Sequence, residues 1–337
     1  MTRPRSNPRR PASTVRWAGI FEALPPHQQF APQNLSSGKA RESSGVNASP
    51  STLSHGVPVT TTTRVPASDS TTWKLQREVV LLAGWGRAIL LQIAHPLVAQ
   101  GVADHSGFAA ERWARVGRLK RTVEAMLALT FGTPAESAAA AAGINRIHDR
   151  VHGRLPQPAG AFASGSGYSA HDPKLLTWVH VTLVDTFLVT YERFVAPLTP
   201  VERDRYCVEA TVSAPLLGIA PEALPRTASE LSACMERMLA SDQIAVTNTA
   251  RRLADEIVSR ALPWPARPLL ALAGLPTVGL LPASIREAYG FEWTPRQERA
   301  LRLLSAATRR SLPLLPPFLR HWPAARRAAR RDRTEVP

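Results

Sequence analysis

One imidazole, His180, stands in the middle of a helical segment that is otherwise apolar. Within YSAHDPKLLTWVHVTLVDTFLVTYERF (168–194), the spacing of Leu176, His180, Leu183 and Phe187 is that of one helix face. A histidine on an apolar face needs a partner, which is a backbone carbonyl in the simpler case and a metal in a dry pocket in the other. The spacing leaves both alternatives open.

Arg118 and Thr122 form a second group that could do chemistry. They lie four residues apart, so they stack one above the other on a helix. An anionic group such as a carboxylate could be held by the guanidinium while the hydroxyl points at the same cavity. The alternative is an exposed basic stripe, because Arg115 and Arg121 are close by in the sequence.

His148 and His152 form an H-x-x-x-H pair, a spacing that can bind one metal from a single helix face. A zinc protease would need a glutamate where Asp149 stands, and the shorter side chain does not place its carboxylate on a metal-bound water. We therefore interpret the pair as a cationic helix end that interacts favourably with the negative end of the helix dipole.

Three further polar residues flank LVAQGVA. His95 precedes Pro96 and could cap a helix or line a pocket, whereas Asp104 and His105 could form a polar lid or an exposed loop. The spacing does not decide between these alternatives.

The elements that must position these residues are helices. Capping signals mark several starts: Thr133 with Pro134 and Glu136, Asp172 with Pro173, and the Thr-Pro steps at Thr199 and Thr294. Pro96 is expected to kink a helix or start a new one. Helical segments are predicted over 77–103, 117–132, 133–153, 173–194, 199–218, 228–258 and 294–316. No run of alternating strands and no repeat is found, so the sequence predicts an all-α fold.

The domain boundaries follow from composition. Residues 1–70 are rich in Pro, Ser, Thr and Arg without an apolar period, so we expect a disordered extension. A single globular helical domain is predicted over 71–322 and a basic tail over 323–337.

The net charge of +15 lies mostly in the two ends of the chain. Residues 1–70 carry eight basic residues against three acidic ones, and residues 320–337 carry six against two. Such ends attract polyanions or anionic membranes without specifying a function. No basic patch with interleaved aromatics is found between them, which argues against specific nucleic-acid recognition.

Several other classes of protein are disfavoured. The two cysteines, Cys207 and Cys234, form neither a CxxC nor a CxxCH signature, so we expect no disulfide framework. There is no phosphate-binding glycine loop and no GxSxG elbow. The N-terminus lacks an apolar segment behind its arginines, so no signal peptide is expected. The apolar segment 265–285 is broken by Pro and Gly, and is expected to be buried or to touch a membrane rather than span it.

Several long motifs, in order, resemble the rubber oxygenase and MpaB-type oxygenase family. They run from about Trp73 to Trp322 and include ILLQIAHPLVAQGVADHS, RLKRTVEAMLALTFGTPAE, INRIHDRVHG, YSAHDPKLLTWVHVTLVD and REAYGFEWTPRQERALR. The latex clearing proteins of this family are all-helical and hold a b-type haem, with which they add dioxygen across the double bonds of polyisoprene. MpaB-type members cleave an isoprenoid side chain.

The resemblance implies roles for residues already named. His180 matches the haem-iron ligand, and Arg118 and Thr122 match the pair that lies beside the haem. Asp104 and His105 fall in a segment that approaches the distal side, which makes them candidates for a proton-handling group.

The chain also departs from the latex clearing proteins. They can carry a distal lysine ligand at position 121, whereas this chain has Arg121, whose protonated guanidinium is a poor ligand. Thr177 and Val184 stand where they carry arginines. The sequence is most similar to the short, cytoplasmic branch.

The resemblance therefore implies a globin-like or bundle-like haem cradle with haem b (iron) as cofactor. The implied activity is that of a haem-dependent oxygenase acting with O₂ on a small apolar, isoprenoid-type alkene. We further expect a cytoplasmic location with peripheral contact to an anionic membrane, and no specific nucleic-acid partner. The alternative is a non-catalytic helical protein that holds haem or a lipid at a membrane surface.

Overall fold

The computed structural model of the chain describes residues 69–105, 112–259 and 274–335. The first half contains the helices α1 (Thr71–Gln76), α2 (Trp85–Ile93), α3 (Pro96–His105), α4 (Arg112–Phe131), α5 (Pro134–His148) and α6 (Pro173–Phe194). The second half contains α7 (Pro200–Ala210), α8 (Ala228–Leu239), α9 (Asn248–Ser259), α10 (Ala283–Tyr289), α11 (Pro295–Ser311), α12 (Pro317–Arg320) and α13 (Pro323–Glu335). Residues 274–279 are helical as well, and 3₁₀ turns cover Val79–Gly84, Ala214–Leu217, Pro221–Ala223 and Leu312–Leu314. The all-α prediction is confirmed.

Local capping explains where the helices begin. The side chains of Thr133, Thr199 and Thr294 each accept a hydrogen bond from the backbone N–H three residues on, in reciprocal capping boxes. Asp172 caps α6 by accepting from the N–H of Lys174. These predicted starts are confirmed.

Helix α6 is the central element. It packs against α1, α2, α7, α8, α11 and the 3₁₀ turn Val79–Gly84. The 3₁₀ turn approaches α6 closely, because a Cβ added to Gly84 would lie 2.1 Å from Thr190 Oγ1 and 3.0 Å from Thr186 Cγ2. The buried Arg87 of α2 also reaches Thr186, donating to its Oγ1 at 2.6 Å, and pairs with Asp185 at 2.6 Å. Helix α6 is therefore held by both packing and buried polar contacts.

A two-stranded antiparallel sheet was not predicted. Strands β1 (His152–Arg154) and β2 (Gly167–Ser169) pair with His152 opposite Ser169. Helix α5 accordingly ends at His148, five residues before the predicted end at Gly153. The prediction of one helix through 153 is wrong, because the backbone of this stretch bonds across to β2 instead of continuing the helical pattern.

The segment assigned above to a basic tail, residues 323–337, begins with α13. Ala325 and Ala328 of this helix are buried against Trp73 and Phe131. The described part of the segment therefore packs onto the domain. The predicted extension, residues 1–70, lies outside the described residues except for its last two.

The chain before α13 is fixed by a buried ion pair. The carboxylate of Glu78, which is 0% exposed, accepts three hydrogen bonds from Arg320 at 2.7, 2.8 and 3.0 Å. His321 lies 3.4 Å from the same carboxylate and forms an isolated β-bridge with Glu78. The N–H of Trp322 donates to the carbonyl of Arg77 at 3.0 Å. These contacts join the two ends of the described domain.

Within the described ranges, no single helix is long and apolar enough to cross a membrane. One pair, Val79–Ile93 with Pro96–His105, passes by length and composition alone, and it is bent by 108°.

Candidate functional site

His180 is the eighth residue of α6, and its face is the one predicted from the spacing. Leu176 and Phe187 on this face are buried, while His180 and Leu183 are half-buried. Among the described residues, no hydrogen bond or ion pair reaches the imidazole of His180. The surrounding protein is nevertheless sufficient for burial to lower the pKa of His180 from 6.5 to about 4. The ring is therefore neutral at pH 7, which is the form that binds a metal.

A small apolar pocket lies beside His180. Its free space, counted with its opening, is about 180 Å³, and its walls come from α6, α7, α8 and the loop before α8. They are formed by Val181, Val184, Cys207, Leu224, Pro225 and Leu231. Burial raises the pKa of the Cys207 thiol to about 12, so the thiol is protonated and a poor metal ligand. The pocket therefore offers the imidazole of His180 as its ligating group.

The described residues leave one stripe of α6 partly uncovered. Thr177, His180 and Leu183 follow each other at three-residue steps and are all half-buried, while Trp178, Val181 and Val184 are buried. A flat ligand would therefore reach His180 along this stripe of half-buried residues.

A larger apolar pocket lies where α4, α6 and the 3₁₀ turn Val79–Gly84 meet. Its free space, counted with its opening, is about 340 Å³, and it is lined by Gln76, Leu81, Leu82, Trp85, Val123, Met126, Leu127, Phe187 and Trp322. The amide of Gln76 is engaged elsewhere, since Nε2 donates to Tyr206 Oη at 3.2 Å and Oε1 accepts from Thr130 Oγ1 at 2.6 Å. The pocket thus presents hydrocarbon surface to any ligand.

The helices that carry the two predicted groups, α6 and α4, each contribute other residues to this larger pocket. Phe187 lies seven residues after His180 on one face of α6, about 10 Å along the helix axis at 1.5 Å per residue. Met126 lies four residues after Thr122 on one face of α4, about 6 Å along its axis. Phe187 and Met126 both line the larger pocket, whereas His180 lines the small pocket and Thr122 is exposed and lines neither.

Helix α4 carries Arg118, Thr122 and Arg121. The side chain of Arg118 lies outside the part that the structure describes, and Thr122 and Arg121 are exposed. The structure thus places the three residues on one helix beside the apolar pocket, and the role of Arg118 and Thr122 in ligand binding stays a prediction.

Asp104 and His105 lie at the exposed end of α3 and contact the small sheet. Tyr168 on β2 donates its hydroxyl to Asp104 Oδ2 at 2.5 Å, and its oxygen lies 3.3 Å from His105 Nε2. His105 Nε2 also lies 3.1 Å from the carbonyl oxygen of His152. Burial and the Asp104 carboxylate raise the pKa of Tyr168 well above its usual range. The structure brings none of these groups to His180 within the described ranges, and Tyr168 was missed from the sequence because β2 was not predicted.

His148 and His152 do not share a helix face, because α5 ends at His148 and His152 begins β1. His148 instead lies edge-on to His171, with ring centroids 5.8 Å apart, and His171 Nε2 is 2.8 Å from Asp149 Oδ1. Burial and the nearby His171 lower the pKa of His148. No group of three or more His, Cys, Asp or Glu side chains suited to a metal ion is found in the described part of the chain.

His95 is a core residue. It is 2% exposed, its ring packs 5.1 Å from that of Phe162, and its Nδ1 has no hydrogen-bond partner within the described residues. Burial lowers the pKa of His95 to about 4, against a smaller opposing effect of Asp172. Pro96 starts α3 directly after it, as predicted.

A comparison with models of known protein families identifies one that matches this chain. The model described as "ER-bound oxygenase mpaB/B'/Rubber oxygenase, catalytic domain" matches residues 73–310, which is well over half of the chain. Searches among curated proteins and among solved structures returned no match.

Proposed function

Because the chain belongs to the family of mpaB and rubber oxygenase catalytic domains, we propose that it is a haem-dependent oxygenase in which His180 holds the iron and the substrate is an apolar alkene. The family supports oxygenase activity, and hence an oxidoreductase. The haem cofactor and the apolar substrate go beyond the family match, and each is supported by a separate observation.

The observation that carries the haem proposal is the state of His180. The imidazole of His180 is half-buried on an otherwise apolar helix face and makes no hydrogen bond with the described residues, so its nitrogen is open to a ligand. A haem needs one protein ligand of this kind, because the porphyrin supplies the other donors to iron. The low pKa of His180 keeps the nitrogen lone pair free at pH 7.

The small volume of the pocket beside His180 limits how a haem would bind. The adjacent pocket is far smaller than an ordinary ligand site. A haem at His180 would therefore need more room than this pocket shows, and the half-buried stripe of Thr177, His180 and Leu183 is the side of α6 that the described residues leave open to it. The family resemblance assigns Arg118 and Thr122 of α4 to the same haem site, where the guanidinium would pair with a propionate.

The substrate proposal is supported by the larger pocket. Its lining of Leu, Val, Met, Phe and Trp favours hydrocarbon over polar groups by burial of apolar surface, and the enclosed space would have to widen to admit an alkene chain. The hydrogen bonds of Gln76 to Tyr206 and Thr130 keep its amide from favouring a polar ligand. The bound haem would supply the iron that binds and activates dioxygen, and this chain would supply orientation and a dry site.

Proton handling is proposed for Asp104 and His105. In the structure these two residues hold the hydroxyl of Tyr168 between them, and the raised pKa of Tyr168 keeps its proton on the phenol, so Tyr168 would position Asp104 and His105, the groups that would exchange the proton. Replacing Tyr168 with Phe removes this link and leaves the packing of the ring in place. We expect that variant to bind haem normally and to turn over more slowly.

Oxygen uptake tests the proposed function. Haem-loaded protein should consume O₂ only when an apolar polyene such as squalene is added, and ¹⁸O from labelled O₂ should appear in the product. Val123→Gln places an amide in the apolar pocket and should reduce uptake without removing haem, whereas Val201→Gln on the exposed surface of α7 is the matched control. Haem binding without any uptake across apolar alkenes would instead indicate the non-catalytic binding protein.

A further inference from the structure

The exposed segment 313–319, with sequence PLLPPFL, is apolar at every position. Leu314 is 83% exposed, Phe318 61% and Leu319 58%. The segment is held at both ends, because Leu312 before it is buried and Arg320 after it binds the buried Glu78. It is therefore a fixed apolar surface rather than a loose tail, and contiguous surfaces of this kind mark interaction sites.

The backbone of this segment is suited to an apolar environment. Three of its seven residues are proline and lack a backbone N–H. Leu315 and Leu319 donate theirs internally, to the carbonyls of Leu312 at 3.2 Å and Pro316 at 3.0 Å. Entry into lipid therefore leaves few backbone donors unsatisfied, which is the main cost of placing irregular backbone there. The same features make the segment a poor edge for β-pairing with a protein partner.

The charge around the segment is strongly positive. Residues 295–335 contain eleven arginines and three acidic residues, about half of the net charge of the chain. Arg310, at the end of α11 just before the segment, is exposed, as are Arg327 and Arg330 on α13 after it. Exposed leucine and phenylalanine beside arginines complement an anionic bilayer, whose headgroups attract the cations while its interface accepts the apolar side chains.

We propose that residues 313–319 and the flanking arginines form a docking surface for the surface of an anionic lipid bilayer. This surface differs from segment 265–285, which the sequence predicted to be buried or to touch a membrane. In the described part of that segment Val278, Leu281 and Ile285 are buried, as the first alternative predicts.

Docking at this surface has a consequence for substrate supply, which rests on the proposed function. Trp322, three residues after Leu319, lines the apolar pocket between α4 and α6. The docked protein would hold that pocket close to a bilayer in which apolar alkenes dissolve. The docking itself requires neither haem nor turnover.

Vesicle co-sedimentation of the full chain tests the proposal. The probes are phosphatidylcholine vesicles with and without about one-third phosphatidylserine, with Leu314→Ser/Phe318→Ser as the test variant. Ile147→Ser/Val201→Ser is the matched control, because Ile147 and Val201 are 64% and 75% exposed but lie on other helices. Circular dichroism and thermal melting check that both double variants are folded. We expect them to fold because the substituted side chains are exposed.

We expect the wild type and the control to bind the anionic vesicles and the test variant to bind roughly tenfold more weakly or less. Arg310→Gln should weaken binding and its dependence on salt, since exposed charges are screened at high ionic strength. Equal binding by the test variant would overturn the proposal and assign vesicle binding to the charges alone. A wild type that ignores vesicles but forms a dimer that the test variant lacks would also overturn it and make the surface a contact between copies.

Discussion

Replacing Arg320 with methionine probes the buried ion pair that fixes the C-terminal segment over the apolar pocket. The Glu78 carboxylate is 0% exposed and loses three hydrogen bonds of 2.7 to 3.0 Å in this variant. Removing one partner of a buried pair costs about 3–5 kcal/mol, because the remaining charge is left without compensation. His321 at 3.4 Å and Arg77 at 3.7 Å still lie near the carboxylate, which favours the lower end, about 3 kcal/mol.

The assay is thermal and urea unfolding of the full chain. For a domain of this size, a loss of about 3 kcal/mol corresponds to a Tm lower by roughly 6–12 °C. Arg310→Met is the matched control, since Arg310 is exposed and its replacement should change stability by less than about 0.5 kcal/mol. The reasoning would be refuted by an Arg320→Met variant that unfolds within about 1 kcal/mol of the wild type.

Two further predictions concern packing and pH. Gly84→Ala should destabilise the protein by about 1–3 kcal/mol in urea unfolding, because its new Cβ meets Thr190 Oγ1 at 2.1 Å. Gly143→Ala on α5, whose new Cβ would meet only Arg146 Nη2 at 3.8 Å, should be neutral or slightly stabilising, and equal effects at the two sites would contradict the close approach to α6. Since the pKa of His95 falls to about 4 on folding, the unfolded chain takes up a proton between pH 6.5 and 4 that the folded protein does not, so stability falls as the pH is lowered through that window. For His95 alone, the loss of unfolding free energy from pH 7 to pH 5 is about 2 kcal/mol. His95→Leu should therefore reduce the pH dependence of the unfolding free energy by that amount, whatever the effect of the substitution at pH 7. An unchanged pH dependence would show that His95 does not titrate in this way.

Much of the fold could be predicted because its signals are local. The capping boxes at Thr133, Thr199 and Thr294 depend on residues three positions apart, and each marks a helix start in the structure. The break at Pro96 is likewise local. The face of α6 followed from spacing, since a helix that packs on several neighbours must be apolar on that face.

The parts that were not predicted depend on distant contacts. Strands β1 and β2 have three residues each and lack room for an alternating pattern, so His152 was wrongly joined to the helix of His148. In α13 the apolar side is made of alanines such as Ala325 and Ala328, which become buried because Trp73, some 250 residues earlier, covers them. The apolar pocket is assembled from Gln76, Phe187 and Trp322 of three separate segments, and no spacing in the sequence reveals it.

The haem content of the His180→Ala variant tests the central claim most directly. After expression with a haem precursor, wild-type protein should carry about one noncovalent haem per chain, measured by its absorption band and by pyridine haemochrome. His180→Ala should lose it, and His148→Ala, which alters a histidine packed on His171, should retain it. Wild-type haem content in His180→Ala, or loss of haem in His148→Ala alone, would contradict the assignment of His180 as the ligand.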